Sequence, residues 1–193
     1  MKHILIIQGH PDITESHLCH ALAGAYAEGA EHAGHTVRRI TVGELDFPLL
    51  CSRRRWYEQA PPAIADAQAS VAWADHLVLL YPLWLGTMPA QLKAFLEQVL
   101  RPGFAFSQEN SGAMGRKLLT GKSARIVITM GMPALVYRWY FRAHGLKNLE
   151  RNILRFVGIA PVRTTLFGLV EAVGDRKRKQ WIEKMRRLGE RAA

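Results

Sequence analysis

The stretch Tyr81-Pro82-Leu83-Trp84-Leu85-Gly86-Thr87-Met88-Pro89 carries residue types suited to holding a flat ligand. An apolar run, His76–Leu80, precedes it, and Leu92, Phe95, Leu96 and Val99 follow at helical spacing. Two prolines fix φ and Gly86 relaxes it, so the stretch is a shaped loop between a buried strand and a helix. Pro82, Leu83, Trp84 and Leu85 give such a loop an apolar wall and exposed backbone. Trp84 would serve equally as a core cap under a tight connection. A second group, His10, Thr14, Ser16 and His17, stands at or just before a helix N-terminus. Its imidazoles and hydroxyls, with free amides and the positive end of the helix dipole, suit a phosphate. Thr14 or Ser16 as an N-cap is the alternative, and the two roles are compatible. Thr129-Met130-Gly131-Met132 is a third, apolar loop with open backbone.

The elements that must position these loops are legible from hydrophobic pattern. Strands are expected at 3–8, 36–42, 76–81, 123–129 and 162–167. Helices are expected up to about His32 with Gly34 as the stop, through Ile64, Val71 and Trp73, from the 81–89 loop to about Leu100, and over 175–190. Residues 43–60 read as irregular, with Arg53-Arg54-Arg55 in a loop, and 107–121 as a surface excursion. Leu135–Phe156 is an amphipathic region broken near Gly145. Alternating strand and helix argues an α/β fold, a parallel sheet with helices on both faces. Five strands with right-handed crossovers give the flavodoxin-like order 2-1-3-4-5 in one domain over residues 1–193. In that order the three loops meet at the point where strand order reverses, which is where such sheets bind ligands. A phosphate at one loop and a flat slot at the other two describe flavin mononucleotide, FMN. The cofactor would carry the hydride chemistry and the protein would orient it.

Other chemistries are disfavoured. The first loop lacks GxGxxG and GxxxxGK[ST], and Gln8, Gly9 and Tyr81 stand where a receiver domain needs acids. Cys19 and Cys51 have no CxxC partner, so neither a disulfide framework nor a metal centre is expected. The net charge of +10 is scattered rather than striped with aromatics, which argues against nucleic acid and for a solvated basic surface that draws in phosphorylated cofactors. No signal-peptide pattern and no ~20-residue apolar span occurs, so the chain reads as cytoplasmic.

Four motifs then carry a resemblance: Gly9-His10-Pro11 with Ser16, Tyr81-Pro82-Leu83-Trp84 through Pro89-Ala90-Gln91-Leu92-Lys93, Gly103-Phe104-Ala105-Phe106, and Thr129-Met130-Gly131 with Tyr137. Together they resemble the flavodoxin-like NAD(P)H:quinone oxidoreductase family, which includes bacterial quinone reductases and flavoprotein ancillary subunits of potassium efflux. The resemblance implies FMN or FAD as cofactor, and FMN is favoured because no adenine site is evident. It implies NAD(P)H as co-substrate, a quinone-like acceptor, and ping-pong hydride transfer through flavin N5. By it, His10, Ser16 and His17 match the phosphate region, Pro82–Leu85 the loop edging the flavin ring, and Thr129–Met132 the second ring loop. Tyr137 matches a tyrosine that assists charge movement with a nearby histidine. His144 is the candidate partner, one residue further along than expected. Phe104 and Phe106 match a segment that reaches a neighbour's pocket in a homodimer. On their own terms, Tyr137 reads equally as a helix-surface aromatic, His144 as a cap before Gly145, and Phe104 and Phe106 as core plugs. Trp84-Leu85 stands where the family often has Gln-Trp, and Met132-Pro133 replaces a glycine-rich segment. The rival to an enzyme is a regulatory flavodoxin-like subunit docked on a membrane transporter, with which a peripheral membrane contact and the basic charge are compatible.

Overall fold

The computed structural model describes residues 1–107 and 115–193. Its centre is a parallel sheet in the order β2-β1-β3-β4-β5, with β1 at His3–Gln8, β2 at Thr36–Thr41, β3 at His76–Pro82, β4 at Ser123–Thr129 and β5 at Val162–Phe167. Successive side chains of a strand point to opposite faces, and two cores follow from that. Leu5 and Ile7, Leu77, Leu79 and Tyr81, and Ala124, Ile126 and Ile128 enter one core, with Ile64, Leu92 and Phe95 from the helices α3 (Pro62–Trp73) and α4 (Ala90–Val99). Ile4 and Ile6, Val78 and Leu80, and Val127 enter the other, with Leu22 and Tyr26 of α1 (Leu18–His32) and Met185 of α8 (Asp175–Glu190).

Helices α1 and α8 meet through glycine. A Cβ on Gly29 would lie 2.0 Å from the Arg186 carbonyl oxygen, and one on Gly189 would lie 2.0 Å from that of Tyr26. Any side chain at either place forces the helices apart, so this contact explains two glycines in helix interiors, where they are otherwise unfavourable.

Two regions differ in detail from the sequence expectation. The arginine triplet opens a short helix, α2 (Arg53–Tyr57), rather than lying in a loop. Ser52 Oγ accepts from Arg55 N at 3.3 Å, and the buried Arg101 guanidinium donates to the Arg55 and Glu58 carbonyls at 2.9 Å each. The region 134–157 breaks at 140–143, just before Gly145. Here α5 (Ala134–Trp139) ends, Arg142 and Ala143 take φ of 53° and 49°, and α6 (His144–Lys147) begins. A wide-turned helical stretch, Asn148–Leu154, and the short α7 (Arg155–Val157) complete the region. Gly145 serves a close approach, since its Cβ would lie 2.3 Å from the Gly86 carbonyl oxygen. The excursion expected over 107–121 falls partly outside the described residues. Among the described residues no helix is long and apolar enough to cross a membrane.

Candidate functional site

In-register pairing of Gln8 with Leu80, Pro82 with Thr129, and Thr129 with Phe167 brings the carboxyl ends of β1, β3, β4 and β5 to one edge. A cleft of about 640 Å³ opens there. His10, Ser16, His17, Leu18 and Cys19 line one end, and Pro82, Leu83, Trp84, Thr129, Met130 and Gly131 line the slot. A volume of this order is typical of small-molecule and cofactor sites.

The first loop is built around Asp12. Thr14 N and Oγ1 donate to Asp12 Oδ1 at 2.8 and 2.7 Å, and Asp12 Oδ2 lies 2.7 Å from His17 Nε2. The Thr14 hydroxyl, then His17, hold the Asp12 carboxyl well below its usual range. The His10 and His17 rings stack at 3.8 Å and 20°. His10 Nδ1 lies 3.2 Å from both the Asp12 amide and carbonyl, which leaves Nε2 as its uncommitted nitrogen. Burial first, and the neighbouring His17 next, lower the His10 pKa. His17 is the N-cap of α1, so Ser16 precedes the cap and is not the cap itself. Its hydroxyl stands exposed at the cleft, while the Thr14 hydroxyl is committed to Asp12. The first amides of a helix have no intrahelical acceptor, and Leu18 and Cys19, which carry them here, line this end. Burial pushes the Cys19 thiol up to about 12, so it stays protonated and is no nucleophile. Asp12, Glu15 and His17 bring ligand atoms within 4.8 Å of one another, but both Asp12 oxygens are already engaged. Within this trio, Asp12 and His17 close the loop through the bond between them.

The slot is fixed by backbone. Leu83 N donates to Thr129 O at 2.8 Å, and Met130 N to Phe167 O at 2.9 Å. Trp84 and Thr87 exchange N–H···O bonds at 3.0 Å around Leu85 and Gly86, both at positive φ. The amides of Leu83, Trp84 and Met130 are thus engaged within the protein, and none of these backbone bonds uses the amides of Gly131 or Met132. The Trp84 ring, half exposed, stands nearly perpendicular to the His10 ring, at 75°, with centroids 6.3 Å apart. Imidazoles, a hydroxyl and a helix N-terminus at one end of an apolar slot are a donor set that fits FMN.

A family model described as a flavodoxin-like fold matches residues 2–191. The chain belongs to this flavodoxin-like family. A Haemophilus influenzae protein named an uncharacterized NAD(P)H oxidoreductase is 30% identical over 188 residues, covering 95% of this chain and 91% of that one. A Nitratidesulfovibrio vulgaris protein named FMN-dependent NADH:quinone oxidoreductase is 27% identical over 214 residues, covering 97% and 98%. The solved NAD(P)H:quinone oxidoreductase of Methanothermobacter marburgensis superposes with a TM-score of 0.82 at 21% identity over 98% of this chain and 96% of that one, a likeness of fold.

The flavodoxin-like fold distributes the remaining candidates unevenly. Leu85 points fully into solvent, and Met132 packs against the core rather than lining the cleft. Tyr137 is buried beneath the Trp84–Thr87 turn. Its hydroxyl accepts from Leu146 N at 3.1 Å and lies 3.5 Å from the Gly86 carbonyl oxygen. Burial raises its pKa, partly opposed by the Leu146 amide. His144 is exposed at the start of α6, and neither of these hydrogen bonds of the Tyr137 hydroxyl involves it. Phe106 packs edge-on against Trp56 and Phe156, at 5.9 and 5.4 Å, away from the cleft, and the half-buried Phe104 packs on the same core. Val170, Glu171 and Arg178 form a wall of the cleft that local sequence did not reveal. They come from the β5–α8 connection and the first turn of α8, and only the adjacency of β5 to β4 places them there.

Ser16 gives a direct test of whether this end of the cleft holds a phosphate. Ser16→Ala removes a hydroxyl worth about 1.5–3 kcal/mol to a charged partner, so FMN affinity should fall roughly 10- to 150-fold in fluorescence titration while thermal stability holds. Unchanged affinity removes Ser16 from the site.

Proposed function

We propose that this protein is an FMN-dependent NAD(P)H:quinone oxidoreductase. The observation that carries this reading is the single cleft joining the histidine–serine loop and α1 N-terminus to the apolar slot of Trp84 and Thr129–Gly131. The name of the Nitratidesulfovibrio vulgaris relative supports it. In the overall reaction, NAD(P)H gives up a hydride, and the quinone takes up that hydride with one solvent proton and leaves as hydroquinone. Bound FMN supplies the hydride relay between the two substrates. The chain's residues bind and orient. His10, Ser16 and His17 hold the phosphate, Pro82, Leu83 and Trp84 keep water off one side of the slot, and the amide of Gly131 donates to a ring edge. A cytoplasmic location belongs to the same proposal.

Purified or reconstituted protein is expected to show flavin absorption, to release FMN on denaturation, and to oxidise NAD(P)H steadily when a quinone is supplied. A chain without flavin affinity ends this reading. A flavoprotein without turnover favours the regulatory subunit of a membrane transporter instead.

Tyr137 enters the proposal as the group that stabilises negative charge arising during hydride transfer. Tyr137→Phe keeps the ring and deletes the hydroxyl. Rapid mixing with NAD(P)H should then show reduction slowed by roughly 10- to 1000-fold, the scale of one lost donor, at little-changed flavin affinity. If the rate is unaltered, the hydroxyl only fastens Leu146 to the turn.

A homodimer completes the proposal. Leu135, Val136, Trp139, Tyr140 and Phe141, on α5 and just after it, are all exposed, and clustered exposed apolar side chains of this kind mark interaction sites. Sedimentation should give the mass of two chains, and Trp139→Glu should shift it toward one. A monomeric wild-type chain at micromolar concentration contradicts the dimer.

A further inference from the structure

The entry to α1 closes in an unusual way. At the third position of a helix the reciprocal capping residue is commonly Glu or Gln, whose side chain accepts from the N-cap backbone amide. Here the N-cap is His17 and the third position is His20, and His20 Nδ1 accepts from His17 N at 3.3 Å. We propose that His20 is a positioning residue for the flavin phosphate, a neutral acceptor that fixes the His17 backbone without setting negative charge beside the anion. The inference rests on the FMN reading above.

Three observations support it. His17 is held at once from three sides: its amide by His20, its Nε2 by Asp12 at 2.7 Å, and its ring face by His10 at 3.8 Å. The His20 ring also stands edge-on to His10 at 5.4 Å and 5.5 Å from His17, so it backs both rings that line the cleft while lining none of it itself. The acceptor role requires an unprotonated Nδ1, and burial with the neighbouring His17 lowers the His20 pKa, which keeps that nitrogen free near neutral pH. The charged groups facing His20 are Asp12 and Glu44, with the Glu15 backbone beside it. A further carboxylate at position 20 would add to the acidic side of this balance. Glu therefore serves the helix and harms the phosphate, while imidazole serves both.

The test compares FMN with riboflavin, which has the same ring and no phosphate. Affinities are measured by fluorescence quenching on flavin-stripped full-length wild type, His20→Gln, His20→Glu and His20→Ala, with thermal melting alongside. His20→Gln should keep the wild-type ratio of FMN to riboflavin affinity. His20→Glu should keep the melting temperature and the riboflavin affinity, and lose about tenfold or more of the FMN preference through charge repulsion. His20→Ala should lose both FMN preference and stability. An unchanged ratio in His20→Glu overturns the role assigned to neutrality, and a His20→Gln as poor as His20→Ala overturns the acceptor role. A wild type that prefers FMN while all variants match it overturns the inference and leaves the cofactor reading standing. A wild type that binds neither flavin overturns both.

Discussion

A parallel sheet covered on both faces leaves one edge where backbone can meet a ligand, and the ladder that builds this sheet continues into that edge. Gly9 N donates to Leu80 O at 2.7 Å, Leu83 N to Thr129 O at 2.8 Å and Met130 N to Phe167 O at 2.9 Å. Each donor opens a loop or stands within one residue of its start, and each acceptor ends or nearly ends the neighbouring strand. The loops are therefore pinned at their roots, and the directions of Trp84, Gly131 and the histidines follow from strand register. A slip of one residue would move a loop root by about 3.3 Å and turn its side chains to the opposite face.

The strands and their order were legible because burial on both faces writes continuous apolar runs, as in Ile4–Ile7 and Leu77–Leu80. Helix ends were legible where chain chemistry forces them, as at Gly34 with φ of 80°. What was not legible depends on distant partners. The helix at Arg53–Tyr57 needs the guanidinium of Arg101, forty-odd residues away, on its carbonyls. The break at Arg142–Ala143 places two ordinary residues at positive φ, a conformation that no residue type there announces.

The site was legible in part for the same reason. Residue types marked the histidine–serine loop and the aromatic loop, since each is local. Which amides stay open was hidden, because the partners of Leu83, Trp84 and Met130 are set by the sheet and by a two-residue turn. The Val170–Arg178 wall was hidden because it belongs to the site only through topology.

The phosphate end also separates two uses of charge. The chain carries +10, yet the loop after β1 contributes no lysine or arginine. Its charged groups are Asp12 and Glu15, and Asp12 stays ionised because Thr14 and His17 hydrogen-bond it. The basic residues lie elsewhere along the chain, with runs on β2, α2 and α8, and Arg178 across the cleft is bonded to Asp175 and the Val170 carbonyl. Salt screens the pull of any exposed charge that lies beyond a Debye length of about 8 Å at physiological ionic strength. Net charge can hasten the arrival of phosphorylated molecules. In the proposed reading, holding one in place falls to short-range donors that carry little or no formal charge: imidazole, hydroxyl and helix amide. Such donors discriminate by direction, because a hydrogen bond weakens steeply as its angle closes. This is why a loop of modest charge is braced so heavily, by Asp12 from within and by the stacked histidines from the side.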